Sequence, residues 1–151
     1  MARILERGGV SEPYRLAKAI VRVRGKPGES SVLKSASSLG AFISKVSRRE
    51  KKRWGHPATR FFQALRIEVN KEFEHLENFL NDCLNLIAKH GRIVIISYHS
   101  GEDSRVKIRF RTLVREKKAI YVVKKPLRPD VDEINMNPRA RSARLRCIEK
   151  V

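Results

Sequence analysis

Acidic residues, cysteines and long apolar runs are all in short supply in this 151-residue chain, and each shortage excludes something. The two cysteines, Cys83 and Cys147, stand far apart and form no Cys-x-x-Cys pair. That argues against zinc and against a disulfide framework; both read as reduced core thiols of a cytoplasmic protein. No stretch approaches the roughly 20 apolar residues of a membrane span. The N-terminal residues carry no signal-peptide core. Tyr14, Tyr98 and Tyr121 lack the spacing of an aromatic platform for single-stranded nucleic acid. Acid is scarcest of all: 16 Asp and Glu face 34 Lys and Arg, a net charge of +18.

That charge is unevenly spread. Residues 1–55 hold 14 Lys/Arg against 4 Asp/Glu, residues 56–114 hold 9 against 7, and residues 115–151 hold 11 against 5. A near-neutral middle flanked by basic material points to a polyanionic partner, ribosomal RNA before a membrane surface. With 41% hydrophobic residues the chain has the means to bury a core, and its length suits one domain with a small appendage.

Helical periodicity dominates the first half. Residues 11–24 read as a helix capped by Ser11, with Pro13 in its first turn, Gly25 at its exit, and Ala17, Ile20, Val21 and Arg24 on one face. Lys26-Pro27-Gly28 marks a turn. A second helix, residues 31–47, follows from the stripe Val32, Ala36, Leu39, Ile43 and Val46. The basic run Arg48–Arg53 with Trp54-Gly55 reads as an exposed loop. Apolar residues at 62, 65, 69, 73, 76, 80, 83 and 87 then predict one long helix over 59–89, ended by His90 with Gly91 in the left-handed exit position. Arg92–Ser97 is a continuous apolar run, as in a strand covered on both faces. Ser100 is expected to cap a helix over 101–114, with Asp103 three residues on as in a capping box. A strand over Ala119–Lys124 halted by Pro126, a polar loop over 127–141 and a strand over Ala143–Glu149 complete the order. Three strands make a narrow sheet, and so apolar an edge as Ile93–Ile96 needs a cover.

Three stretches carry a resemblance: His56-Pro-Ala-Thr-Arg-Phe-Phe-Gln-Ala-Leu-Arg-Ile-Glu-Val-Asn70, Gly91-Arg-Ile-Val-Ile-Ile-Ser-Tyr-His-Ser-Gly-Glu-Asp103, and Asn137-Pro-Arg-Ala-Arg-Ser-Ala-Arg-Leu-Arg146. In this order they resemble the C-terminal part of the MraW/RsmH family, and residues 3–24 look like the start of that family's helical insertion domain. The family is S-adenosylmethionine-dependent and methylates N4 of a cytidine in small-subunit ribosomal RNA. The resemblance implies an α/β fold: the last three strands of a class I (Rossmann-like) methyltransferase sheet, the final one antiparallel, plus the N-terminal helical insertion subdomain. The corresponding domains are 1–55 and 56–151.

The family's glycine-rich cofactor loop, Asp-x-Thr-x-Gly-x-Gly-Gly-His, and its Asp-Leu-Gly-x-Ser-Ser motif have no counterpart among these residues. The expectation is a truncated or split enzyme that does not bind S-adenosylmethionine alone, with a separate N-terminal half as a partner; the alternative is a non-catalytic ribosomal RNA-binding module. Where the family has Ser-Phe-His-Ser-Leu-Glu-Asp-Arg, this chain has Ser97-Tyr-His-Ser-Gly-Glu-Asp-Ser104, and Gly101 and Ser104 suggest loosened packing.

His99, at the end of a strand, either touches the target base or a phosphate, or fixes the turn; Ser100 shares its position. Open α/β sheets place ligands at such edges. His56 and Arg60 flank the entry to the long helix, where Arg60 suits a phosphate or a tertiary ion pair. Gln63 and Asn70, seven apart, face RNA or the rest of the sheet. Arg139, Arg141, Arg144 and Arg146 form the densest basic cluster near the expected active edge, with Arg144 and Arg146 on one strand face. No nucleophile-base constellation is visible, so catalytic residues stay unassigned.

Overall fold

Helical spacing organises the chain as far as residue 72. In the computed structural model, which describes residues 1–26, 28–47 and 58–151, two compact units form, Met1–Glu72 and Phe73–Val151. The first holds α1 (Ala2–Arg7), α2 (Pro13–Arg24), a 3-10 turn (Glu29–Leu33), α3 (Ala36–Val46) and α4 (Ala58–Val69). Leu5, Leu16, Ile20, Ile43, Phe61 and Ala64 form its core. Pro13 occupies the first turn of α2, where its missing N–H costs nothing. The cap position of α2 is Glu12, not Ser11, and the buried face is Leu16, Ala17, Ile20 and Val23, with Val21 exposed. Gly8, at the exit of α1, lies so near α4 that an added Cβ would stand 2.6 Å from the Cα of Ala64.

Two expectations for this unit are corrected. The second helix starts at Ala36, because Ser35 turns its Oγ back to accept from the Ser38 amide at 3.1 Å. The serine-rich stretch before it stays in a 3-10 turn opened by Gly28 at φ +85°. The single long helix is interrupted. Lys71 takes φ 52°, and the Arg66 guanidinium donates to both carboxylate oxygens of Glu72 at 2.7 and 3.1 Å across the turn. The break also shifts the helical phase: α4 buries 58, 61, 64 and 67 rather than 62, 65 and 69, and Val69 is 80% exposed. His56, the run Arg48–Arg53, Trp54-Gly55 and Pro27 lie outside the described residues.

The second unit holds α5 (Glu72–Asp82, entering from Phe73), a 3-10 turn (Cys83–Leu86), β1 (Arg92–Ser97), α6 (Ser100–Arg115), β2 (Ala119–Tyr121), α7 (Val131–Met136), a 3-10 turn (Pro138–Ser142) and β3 (Arg144–Lys150). The sheet order is β1-β3-β2, with β3 antiparallel to both neighbours and Ile93 opposite Ile148. One sheet face carries Ile93 and Ile148 into a core with Leu80, Val106, Phe110 and Leu113. The other face is uncovered among the described residues: Val94, Ile96 and Ile120 are each about half exposed. Among the described residues β1 is therefore covered on one face, where its unbroken apolar run suggested both.

The positive φ at the entry to β1 belongs to His90, at 66°, and not to Gly91. Gly91 is needed for room instead, since a Cβ there would meet the Ala88 carbonyl oxygen at 2.8 Å. The expected loop over 127–141 is partly helical. Asp130 caps α7 by accepting from the Glu133 amide at 2.7 Å, and Asn137 caps the turn that follows. Cys83 and Cys147 are buried free thiols, and burial pushes both up. Among the described residues no helix is long and apolar enough to cross a membrane.

Candidate functional site at the carboxyl end of β1

β1 ends at Ser97, and His99 closes the turn into α6. The cap of α6 is His99, not Ser100: its Nδ1 accepts from the Glu102 amide at 3.4 Å. Glu102 reaches back past the cap and accepts from the Tyr98 amide at 3.0 Å, a variant of the capping box in which the carboxylate binds the residue before the cap. An Nδ1 that accepts leaves the proton on Nε2. That atom is buried 3.2 Å from Glu102 Oε1, yet off the line of a hydrogen bond. Contact with His99 lowers the Glu102 carboxyl below its usual range; burial opposes this and the Tyr98 amide adds to it. The His99 ring leans on buried Phe73, at 5.9 Å between centroids, and the Arg105 guanidinium stacks 3.4 Å over the same Phe73 ring. Ser100 is exposed at the first helical position.

Asp103 does not cap anything. It points inward from α6 and is 4% exposed. Arg146 donates to it through Nε and Nη2 at 2.7 and 3.2 Å, and Arg144 through Nη1 at 2.8 Å. Burial raises the Asp103 carboxyl, but the hydrogen bonds from Arg146 and Arg144 outweigh it and hold it below the usual carboxylate range. Both arginines lie on the covered face of β3, opposite Ile95 and Ser97. Of the two, the Arg146 side chain is 13% exposed and that of Arg144 36%. The cluster retains one net positive charge, and Arg144 presents it.

Gly101 is filled rather than loosened: a Cβ there would meet the Phe73 ring at 2.7 Å and His99 Nδ1 at 3.2 Å. Ser104 is exposed. The structure thus gathers His99, Ser100, Arg144 and Arg146 at one sheet edge. Arg139 and Arg141 are exposed on the turn just upstream of β3. Arg60 and Gln63 lie half-buried on α4, in the other unit. Asn70 follows the last residue of α4, its amide still bonded to the Arg66 carbonyl at 2.9 Å, and its side chain donates to Glu72 at 3.3 Å. Sequence reasoning missed Phe73 as the support of the site and Asp103 as the clip of the arginines. The only signal for the second was an acid in the first turn of α6 and two arginines two apart on β3.

Comparison with known proteins gives this geometry its context. The family model described as the MraW methylase family matches residues 1–151. A protein of Ehrlichia ruminantium (strain Gardel) named ribosomal RNA small subunit methyltransferase H is 39% identical, over 98% of this chain and 51% of its own length. One of the same name from Leptospira borgpetersenii (strain JB197) is 41% identical, over 90% of this chain and 43% of its own length. A third, from Ehrlichia canis (strain Jake), is 37% identical, over 98% and 51%. The chain spans about half the length of the curated relatives it matches, and it belongs to the MraW methylase family.

Proposed function

We propose that these residues form the C-terminal, RNA-facing portion of an S-adenosylmethionine-dependent methyltransferase acting on N4 of a cytidine in small-subunit ribosomal RNA. On this reading β1, β2 and β3 are the fifth, sixth and seventh strands of a Rossmann-like sheet, and the N-terminal helices are the family's insertion subdomain. The observation that carries it is the edge at His99 joined to the family match over residues 1–151. The antiparallel β3 between β1 and β2 supports the strand assignment. The names of the relatives support ribosomal RNA as substrate.

Bound S-adenosylmethionine would supply the methyl group, but the glycines here do not fit a cofactor loop. Gly8 is packed onto Ala64 at the end of a helix, and Gly9 follows α1 rather than a strand. On this reading the donor site belongs to residues outside these 151, in the same polypeptide or a separate one. What the present residues contribute is a rigid RNA-facing edge: His99 locked by its cap, Arg144 held by Asp103, and Arg139 and Arg141 in solvent.

Titration calorimetry of the 151-residue chain with S-adenosylmethionine tests this, with no heat of binding expected; low-micromolar binding would sink it. Mixing the chain with the N-terminal half of a relative is expected to restore methyl transfer to small-subunit RNA. Salt-sensitive RNA binding without methyl transfer in that mixture would favour a non-catalytic binding module.

A further inference from the structure

The basic residues of α6 are used in two ways. Arg105 and Arg109 lean on α5: Arg105 donates to Glu77 at 2.8 Å, and Arg109 donates to the Leu80 and Asn81 carbonyls at 3.1 and 3.4 Å. Lys107 and Arg111 are exposed and make no hydrogen bond or ion pair among the described residues. Arg115 is exposed as well, beside Glu116, whose carboxylate is taken by Lys118 at 2.9 Å. Lys107, Arg111 and Arg115 follow at steps of four, a rise of about 6 Å and a turn of about 40° each. They belong to a longer stripe. The exposed residues of α6 are Ser100, Ser104, Lys107, Ile108, Arg111 and Arg115, and all fall on one side of the helix, within about 100°. The stripe begins at Ser100, next to His99, and runs about 22 Å to Arg115. No acid stands on it: Glu102 is half-buried in the cap and Asp103 is buried.

The fold gives no reason for this stripe. Like charges four residues apart weaken a helix, and neither Lys107 nor Arg111 holds anything in place. A face that only kept the protein in solution would mix both signs. Evenly stepped cations suit a chain of evenly spaced anions. The stripe carries no aromatic ring on which a base could stack, so what it can hold is a backbone. A bilayer would want several apolar side chains, and Ile108 stands alone here. An acidic peptide would suit the cations, but the stripe starts at the edge that the reading above gives to RNA. We propose that the outer face of α6 is a track for the RNA backbone beside the target nucleotide. Lys107, Arg111 and Arg115 take successive phosphates, and the Ser100 and Ser104 hydroxyls donate to the backbone at the end nearest His99. Such contacts fix the position of the strand and carry no sequence information. The proposal rests on the RNA-facing reading and adds to it a surface that leads away from the edge.

Fluorescence anisotropy on the full chain tests it, with a labelled single-stranded RNA long enough to reach from the edge to Arg115, titrated across a range of salt. Lys107→Gln/Arg111→Gln is expected to lower the slope of log affinity against log salt by about 1.4, two phosphate contacts at about 0.7 each. The loss should be the same for an RNA of scrambled sequence. Lys89→Gln removes an exposed cation of the same unit from the turn before β1 and is expected to change the slope far less than Arg111→Gln. Ser104→Glu is expected to weaken binding about fivefold by placing an acid on the track. It should not lower the melting temperature, since a carboxylate early in the helix and three residues before Lys107 favours α6. A slope loss in Lys89→Gln equal to that in Arg111→Gln, or none in the double variant, would overturn the track while leaving RNA binding by the chain intact. Unchanged affinity in Ser104→Glu would do the same. A slope loss that varies with RNA sequence would overturn the backbone assignment, and equal affinity for a poly-glutamate peptide would overturn the assignment to RNA. Failure of the unaltered chain to bind RNA would overturn the RNA-facing reading, and the track with it.

Discussion

The unit Met1–Glu72 holds 17 Lys and Arg against 6 Asp and Glu, whereas Phe73–Val151 holds 17 against 10. The difference in number is modest; the difference in use is larger. In the second unit the acids fix the unit's own cations. Asp103 holds Arg144 and Arg146, Glu77 takes Arg105 at 2.8 Å, and Glu149 takes Arg92 at 2.9 Å across the strands. In the first unit the pairs are closer in sequence: Glu12 takes Arg15 at 3.2 Å and Glu72 takes Arg66 at 2.7 Å, while Lys18 and Arg22 are exposed on α2. Net charge therefore says little about where a polyanion lands. Of the four arginines over residues 139–146, two are committed to a buried carboxylate while Arg139 and Arg141 stay exposed.

The sharpest way to break this comparison is to remove Asp103. Asp103→Ala is expected to cost about 3 kcal/mol in urea unfolding of the second unit, because it strands the little-exposed Arg146; the partial exposure of Arg144 keeps the loss at the low end of buried pairs. A loss below about 0.5 kcal/mol would mean the clip is ornamental. The same group sets an acid limit. Its carboxyl is depressed in the folded state, so its contribution is present above the ordinary aspartate value near pH 4 and disappears as pH falls through the lowered one. Asp103→Asn should flatten the pH dependence of stability in that window and leave it unchanged near neutrality.

In the first unit, Gly8→Ala is expected to cost about 1–3 kcal/mol by forcing α1 away from Ala64. Unlike the Asp103 effect, it should be the same at pH 7 and pH 4 when followed by thermal melting. His99→Ala should cost about 1 kcal/mol through loss of the α6 cap. The smallest effect separates the arginines by role. Arg139→Gln/Arg141→Gln should reduce the salt slope of RNA binding by about 1.4 with little change in melting temperature. Arg146→Gln should lower the melting temperature and leave the slope alone; the reverse pattern would return Arg146 to the RNA surface.

Strand positions were legible because their signal is local. Arg92–Ser97 starts and stops as its apolar run does, and β3 falls one residue from the expected Ala143–Glu149. β2 is shorter than expected, three residues ending at Tyr121. The long helix was misread because its apolar stripe continues in plausible steps across Lys71, while the break depends on a left-handed lysine and an ion pair six residues apart. Alanine was the second source of error. Ala58 and Ala64 mark the true buried face of α4, but their small size matters only once Gly8 lets another helix approach. At the site, the position of His99 was legible, and its partner was not. Asp103 sits 41 and 43 residues from the arginines it binds, a distance that no periodicity spans. The helix α7 was there to be read in Asp130 and Glu133, a capping pair hidden inside a polar stretch.

The sheet order carries a consequence for the making of this protein. β3 is the middle strand, yet it is the last of the three to be synthesised. At translation rates of about 5–20 residues per second, the stretch from the end of β1 to the start of β3 takes roughly two to nine seconds to emerge. Through that interval neither β1 nor β2 has the neighbour it pairs with, and Ile93–Ile96 waits with bare amides and carbonyls. The helical unit, made before β1 and rich in local contacts, can already be folded by then. The pace of the ribosome over the roughly fifty codons between β1 and β3 thus decides how long that strand stays available to other chains.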